Sequence, residues 1–191
     1  MRSRVPRIEP GSPLPALTNF PTEQEAGPLA APAQAEARQY LRLALREDMV
    51  AVAIAAVREI LEVGRLTALP GTPDFVRGVL NLRGAVVPVI DIAARFGQAG
   101  CKVGRRTCIV VADVRSTEDD RLHTLGILVD AVYEVFDLPA DALEPVPVLG
   151  NAVPAEFLAG VARLRGQPVP VLDLAVALGP AALAELIVQP A

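Results

Sequence analysis

Phe75-Val76-Arg77-Gly78-Val79-Leu80-Asn81-Leu82-Arg83-Gly84-Ala85-Val86-Val87-Pro88-Val89-Ile90-Asp91-Ile92 is the stretch that decides the fold, because the chain contains it twice. Phe157 to Leu174 aligns with it without gaps at an offset of 157 − 75 = 82. Phe75, Gly78, Val79, Leu82, Arg83, Gly84, Val87, Pro88, Val89 and Asp91 all meet identical partners. The unit reads as a strand that reaches Leu82, a tight turn at Arg83-Gly84 in which glycine takes a positive φ, and a second strand through Val87 and Val89. Pro88 cannot donate to a ladder, which predicts an edge or bulge position. Asp91 and Asp173 end the second strand and are predicted to cap the short helical segments Ile92 to Phe96 and Leu174 to Leu178. Phe75 and Phe157 occupy equivalent positions and are predicted to be buried.

A second match lies upstream. Val57-Arg58-Glu59-Ile60 resembles Val132-Tyr133-Glu134-Val135 at an offset of 132 − 57 = 75. The change from 75 to 82 predicts seven extra residues in the second copy, around Glu144 to Pro154. Two copies are too few for a solenoid and fit a two-lobed protein with pseudo-two-fold symmetry.

The rest of the chain is all-β in pattern. Apolar runs of strand length, rich in β-branched residues, cover Tyr40 to Leu45, Val50 to Val57, Thr107 to Val114 and Thr124 to Val129. Arg46-Glu47-Asp48 reads as a hairpin turn, and Arg115 to Arg121 as a polar loop. Ala53 to Val57 reads as a helical turn, and Ala181 to Val188 as one short helix. Residues 1–38 carry Pro6, Pro10, Pro13, Pro15, Pro21, Pro28 and Pro32, too dense for regular elements, and are expected to be a disordered Pro/Ala-rich tail. The folded part is expected over 39–180, and 181–191 as a terminal helix or tail.

Composition narrows the function. Apolar residues make up 52% of the 191-residue chain and aromatics only 4%, without Trp, so the core must be aliphatic. A net charge of −4 argues against binding a phosphate backbone. All but Lys102 of the 18 basic residues are Arg, which reads as a G+C-rich coding bias. Cys101 and Cys108 do not have the paired spacing of a zinc site, and a reduced pair is expected, with a disulfide as the alternative. No apolar run is long enough for a transmembrane helix, and Arg2, Arg4 and Arg7 are not followed by a signal-type apolar block, so the cytoplasm is the expected location.

At Pro73-x-Phe75-x-x-Gly78-Val79-x-Asn81-Leu82-Arg83-Gly84 and Val87-Pro88-Val89-Ile90-Asp91 the sequence resembles the CheW family of chemotaxis coupling proteins. The resemblance extends to Glu59-Ile60, Gly126-Ile127-Leu128-Val129-Asp130 and Glu134-Val135, and spans about Tyr40 to Leu178. It implies two small five-stranded, SH3-like β-barrels packed on a shared apolar interface. It also implies an adaptor, not an enzyme, that couples a CheA-type histidine kinase to the cytoplasmic tip of methyl-accepting chemotaxis receptors, at receptor arrays near the inner membrane. No cofactor, nucleic acid or direct membrane insertion is implied. Carried over by position, Val57, Glu59, Ile60 and Arg83 are the candidate partner contacts, the receptor tip lying in the groove between barrels. The sequence departs from the family at Ala53 to Ala56, which is wholly apolar, and in its longer tail.

The bland readings stand beside these. Arg83 is equally a turn residue paired with a carboxylate such as Asp91, and its echo at Arg165-Gly166 favours that role. Asp91 and Asp173 are equivalent caps in two lobes, not an acid–base pair. His123, the only histidine, has no recognisable triad partner and reads as solvated. Gly78 and Gly84 lack the Lys-Ser or Lys-Thr of a phosphate loop. The runner-up function is a small-molecule-binding β-barrel regulator with its ligand between the lobes, which the seven Phe and Tyr residues disfavour.

Overall fold

The computed structural model describes residues 37–139, 141–146 and 153–179. Of the expected tail, residues 1–36 lie outside this range, as does the expected helix at 181–191. Arg38, assigned to the tail above, already belongs to the first strand.

The strands are β1 (Arg38–Leu45), β2 (Asp48–Ala53), β3 (Val57–Glu62), β4 (Val76–Leu82), β5 (Ala85–Asp91), β6 (Cys108–Arg115), β7 (Leu122–Val129), β8 (Ala131–Leu138), β9 (Leu158–Leu164) and β10 (Gln167–Leu172). Short helices α1 (Ile92–Arg95) and α2 (Leu174–Leu178) follow β5 and β10. A single 3-10 turn, Ile54–Ala56, fills the helical turn expected between β2 and β3. Asp91 Oδ1 accepts from Ala94 N, and Asp173 Oδ1 from Ala175 N and Val176 N, so both aspartates are N-caps as the repeat requires.

Two five-stranded sheets result, β3-β6-β7-β5-β4 and β8-β1-β2-β10-β9. Each sheet holds one copy of the repeat, β3, β4 and β5 in the first and β8, β9 and β10 in the second, as expected of two lobes. The hairpins outside the repeat cross over: β1–β2, from the first half of the chain, joins the second sheet, and β6–β7, from the second half, joins the first. β5 and β10 thereby find parallel neighbours, β7 and β2, from the opposite half of the chain.

Alternating side chains sort the apolar residues into three clusters. Leu41, Leu43, Leu45, Val50, Val52, Ile90, Val110, Ala112 and Ile127 pack between the two sheets. Val89, Cys101, Ile109, Val111 and Leu128 fill the first sheet's own concave face, and Tyr40, Ala51, Phe136, Val169 and Val171 the second's. The inter-sheet layer is the shared apolar interface expected above. Each fully buried Leu or Ile in it contributes about 1.5–3 kcal/mol. Phe75 and Phe157 are only half-buried, contrary to expectation. Phe157 stacks on Phe96 at 5.0 Å between centroids, and Arg95 covers the ring of Phe75 at 5.1 Å, so each ring lies at the margin of the core.

Closure into barrels is not seen. Edge strands β3 and β4 do not pair; a strap from the β3–β4 connection bridges the gap at one point, Thr67 against Val79. Glu144 against Val161 is the same device in the second sheet. The strap residues stand at an offset of 144 − 67 = 77, so two of the seven extra residues precede the strap and five follow it. Pro88 is explained by the same strap. It lies in β5, an interior strand, so of the edge or bulge expected the edge is excluded, while the β4 bulge between Val76 and Gly78 falls one pair away. Its partner on β4, Val79, spends its N–H and C=O on Thr67, at 2.8 and 2.9 Å, and so asks nothing of Pro88. On the other side the parallel ladder to β7 begins one residue later, at Val89.

Candidate functional site

The Arg83-Gly84 turn is tighter than one glycine requires. Arg83 has φ 53° and Gly84 φ 90°, both left-handed, as a two-residue hairpin with right-handed strand twist demands. Asn81 Oδ1 accepts from Gly84 N at 2.9 Å and locks the turn. Arg165 and Gly166 repeat the geometry with φ 52° and 80°. Arg83 does not pair with Asp91, as offered above. Its guanidinium lies 3.6 Å from Glu59, whereas Asp91 holds Arg77 at 3.3 Å.

The four candidate contacts meet on β3 and this turn. Val57 stands opposite Ala112 and Ile60 opposite Val110, on the face that packs against the second sheet. Arg58 is the extra residue of a bulge between Val57 and Glu59, and it swings out to Asp113 at 3.0 Å. Glu59 falls on the opposite face, where it reaches Arg83 across the open seam. Val57 is half-buried against the core and contributes little free surface, but Ile60 is 45% exposed and the Arg83 side chain 83% exposed. Edge strand β3 and the turn thus expose one aliphatic side chain, Ile60, and one guanidinium, Arg83, paired with Glu59.

The second sheet carries the counterpart on β8. Val135 is 47% exposed, so it offers what Ile60 offers, and Glu134 holds Arg165 at 2.9 Å. The Glu–Arg pair across the seam is thus a repeated structural device. The copies differ elsewhere. Glu134 also holds Arg42 at 2.8 Å, in the place Val111 takes in the first sheet, and exposed Tyr133 replaces Arg58. Tyr133 was not singled out from sequence; its alignment with Arg58 was the available signal.

Two clefts border these elements. One, of about 470 Å³, lies in the first seam between Leu61, Leu66, Val79, Leu80 and Leu82, rimmed by Glu62 and Arg65. At the corresponding place in the second sheet, Phe136 and Leu138 are buried and Tyr40 stacks on Phe136 at 5.9 Å. The other, of about 490 Å³, is polar and lined by Arg46, Glu47, Asp48, Gln98, Ala99 and Asp130. Asp130 there accepts from Arg46 N at 2.7 Å and ties the β1–β2 turn to the β7–β8 junction.

Nucleophilic chemistry finds little to work with among the described residues. Cys101 and Cys108 are both free thiols. Burial, and then the Asp130 carboxylate 3.6 Å away, push Cys101 up to about 11, and burial pushes Cys108 up as well, so both stay protonated at neutral pH. His123 is largely buried rather than solvated, with Nε2 3.4 Å from Asp119. No group of three or more His, Cys, Asp or Glu is placed to hold a metal among the described residues, and no helix there is long and apolar enough to cross a membrane.

Residues 39–182 match the family model described as the CheW-like domain. The chain belongs to the CheW family. It is 30% identical over 137 residues to the chemotaxis protein CheW of Klebsiella aerogenes, covering 72% of this chain and 79% of that one. To the protein FrzA of Myxococcus xanthus it is 34% identical over 111 residues, 58% of this chain and 65% of the relative. Among solved structures it is similar to the scaffolding protein TtCheW of Thermoanaerobacter tengcongensis, with a TM-score of 0.65 at 26% identity, over 74% of this chain and 87% of that one. The two-sheet fold with few helices is thus that of the CheW family, and the chain is a chemotaxis coupling scaffold.

Proposed function

We propose that the chain is a non-catalytic adaptor that joins a CheA-type histidine kinase to the cytoplasmic tips of methyl-accepting chemoreceptors, in the cytoplasm at receptor arrays. The observation that carries the reading to particular residues is edge strand β3, which exposes Ile60 on one face and holds the exposed Arg83 through Glu59 on the other. Family membership supports the choice of partners, and the edge strand offers them an aliphatic side chain and a charged group. The receptor tip is assigned to Val57, Glu59, Ile60 and Arg83.

Arg83→Glu tests the assignment. An exposed ion pair contributes about 0–1 kcal/mol, so the variant should fold like the wild type. Its affinity for a receptor-tip fragment should fall by about 1–3 kcal/mol, measured by calorimetric titration with circular dichroism as the fold control. Arg165→Glu, at the equivalent turn, should bind nearly as the wild type does. Equal losses in both variants would show that recognition uses the repeated turns, and an unfolded Arg83→Glu would show that the arginine is structural.

A further inference from the structure

Among the described residues most arginines are paired with a carboxylate. Arg42, Arg46, Arg58 and Arg163, for example, each lie within 3.1 Å of a carboxylate. The connection from α1 to β6 breaks this habit. Lys102, Arg105 and Arg106 are all exposed, and none has a carboxylate within 4.0 Å among the described residues. Three uncompensated cations on one short loop are out of keeping with a net charge of −4.

The loop is anchored at both ends. Cys101 N donates to the buried Asp91 Oδ2 at 2.6 Å. At the other end Thr107, itself buried, accepts from Gly104 N at 2.8 Å and donates its hydroxyl to Lys102 O at 3.5 Å. The cations are therefore presented on a preset backbone, which lowers the ordering cost of binding. Apolar surface accompanies them. Val103, between Lys102 and Arg105, is 57% exposed, and the Arg106 guanidinium lies 4.9 Å from the ring centroid of exposed Tyr133 on β8.

We infer that the loop Lys102 to Arg106, together with Tyr133, is a docking surface for an acidic protein segment that carries aliphatic side chains among its carboxylates. Charge complementarity selects the sign of the partner. The exposed Val103 and Tyr133 select a protein over a uniformly charged surface. A membrane or nucleic acid extends beyond the screening length of about 8 Å and meets the repulsion of the whole acidic chain, whereas a short segment senses the loop alone. The surface goes beyond the patch of Ile60 and Arg83 and stands or falls apart from it.

The test uses the full chain, isotopically labelled, and a Glu-rich amphipathic peptide of about 20 residues with Leu at every third or fourth position. Backbone shifts are expected to move at Lys102 to Thr107 and Tyr133 to Val135. Binding is expected to weaken about tenfold when Lys102, Arg105 and Arg106 are all changed to Gln, or when salt is raised severalfold. Tyr133→Ser should weaken it further without changing the salt dependence. Should the triple variant not fold, the shift map and salt titration on the wild type decide alone. Binding of a Lys-bearing control peptide with equal strength, shifts confined to other surfaces, or salt-insensitive binding overturns the inference. So does binding of phosphatidylglycerol vesicles in place of the peptide, which assigns the loop to lipid, or self-association abolished by the triple variant, which assigns it to a second copy.

Discussion

Replacing Gly78 with alanine is expected to remove about 3–5 kcal/mol of stability, a large part of what a domain of this size possesses. A Cβ on Gly78 would lie 2.4 Å from the carbonyl oxygen of Thr67 and 2.9 Å from its carbon. Those atoms belong to the strap, whose two hydrogen bonds to Val79 are the only contact of their kind across the first seam among the described residues. Backbone cannot step aside as a flexible side chain can, so the strap must lift. The φ of +127° adds a conformation that alanine resists. Gly84→Ala is the control. It shares a positive φ, +90°, but nothing lies within 4 Å of its Cβ, so its cost should stay near the backbone strain alone, about 1–2 kcal/mol. Urea unfolding of both variants separates the effects. Equal losses would mean that the strap does not lie over Gly78.

Asp91→Ala is expected to cost about 3–5 kcal/mol, and Asp173→Ala only about 1 kcal/mol, although the two aspartates are interchangeable in the repeat. Both cap a short helix. Asp91 is fully buried and does more: Oδ2 accepts from Cys101 N at 2.6 Å and from Arg77 at 3.3 Å. Its loss orphans a buried N–H, leaves Arg77 without its counter-ion and frees one end of the loop that carries Lys102 to Arg106. Asp173 forfeits only the two cap bonds. Thermal unfolding of the pair is decisive, since similar midpoints for both variants would show that Asp91 is merely a cap.

Local chemistry was legible in the sequence, and long-range pairing was not. Arg83-Gly84 needs positive φ and Asp91 needs a helix to cap, because both demands are met within four residues of chain. The hairpin exchange depends on which half supplies a parallel neighbour to β5, and no local pattern encodes that choice. Pro88 was placed at an edge or bulge because its missing donor was weighed without the strap that makes the donor unnecessary. Arg83 was offered Asp91, its neighbour along the chain, but β3 brings Glu59 closer across the seam. In the candidate site, Ile60 and Arg83 were legible as residues. The sequence already aligned Val135 with Ile60 and Tyr133 with Arg58, but the exposure of Ile60 and Val135 on their edge strands emerges only in the fold. The loop Lys102 to Arg106 was not singled out in the sequence, because its want of carboxylate partners among the described residues shows only in the fold.

The adaptor role itself is tested by co-sedimentation. Receptor tips displayed on vesicles, the CheA-type kinase of the same cell and the full chain are mixed and pelleted. The kinase should pellet with the receptors when the chain is present and remain in the supernatant when it is omitted. Kinase recovery that is the same without the chain, or a chain that stays in the supernatant beside pelleted receptors, would contradict the account.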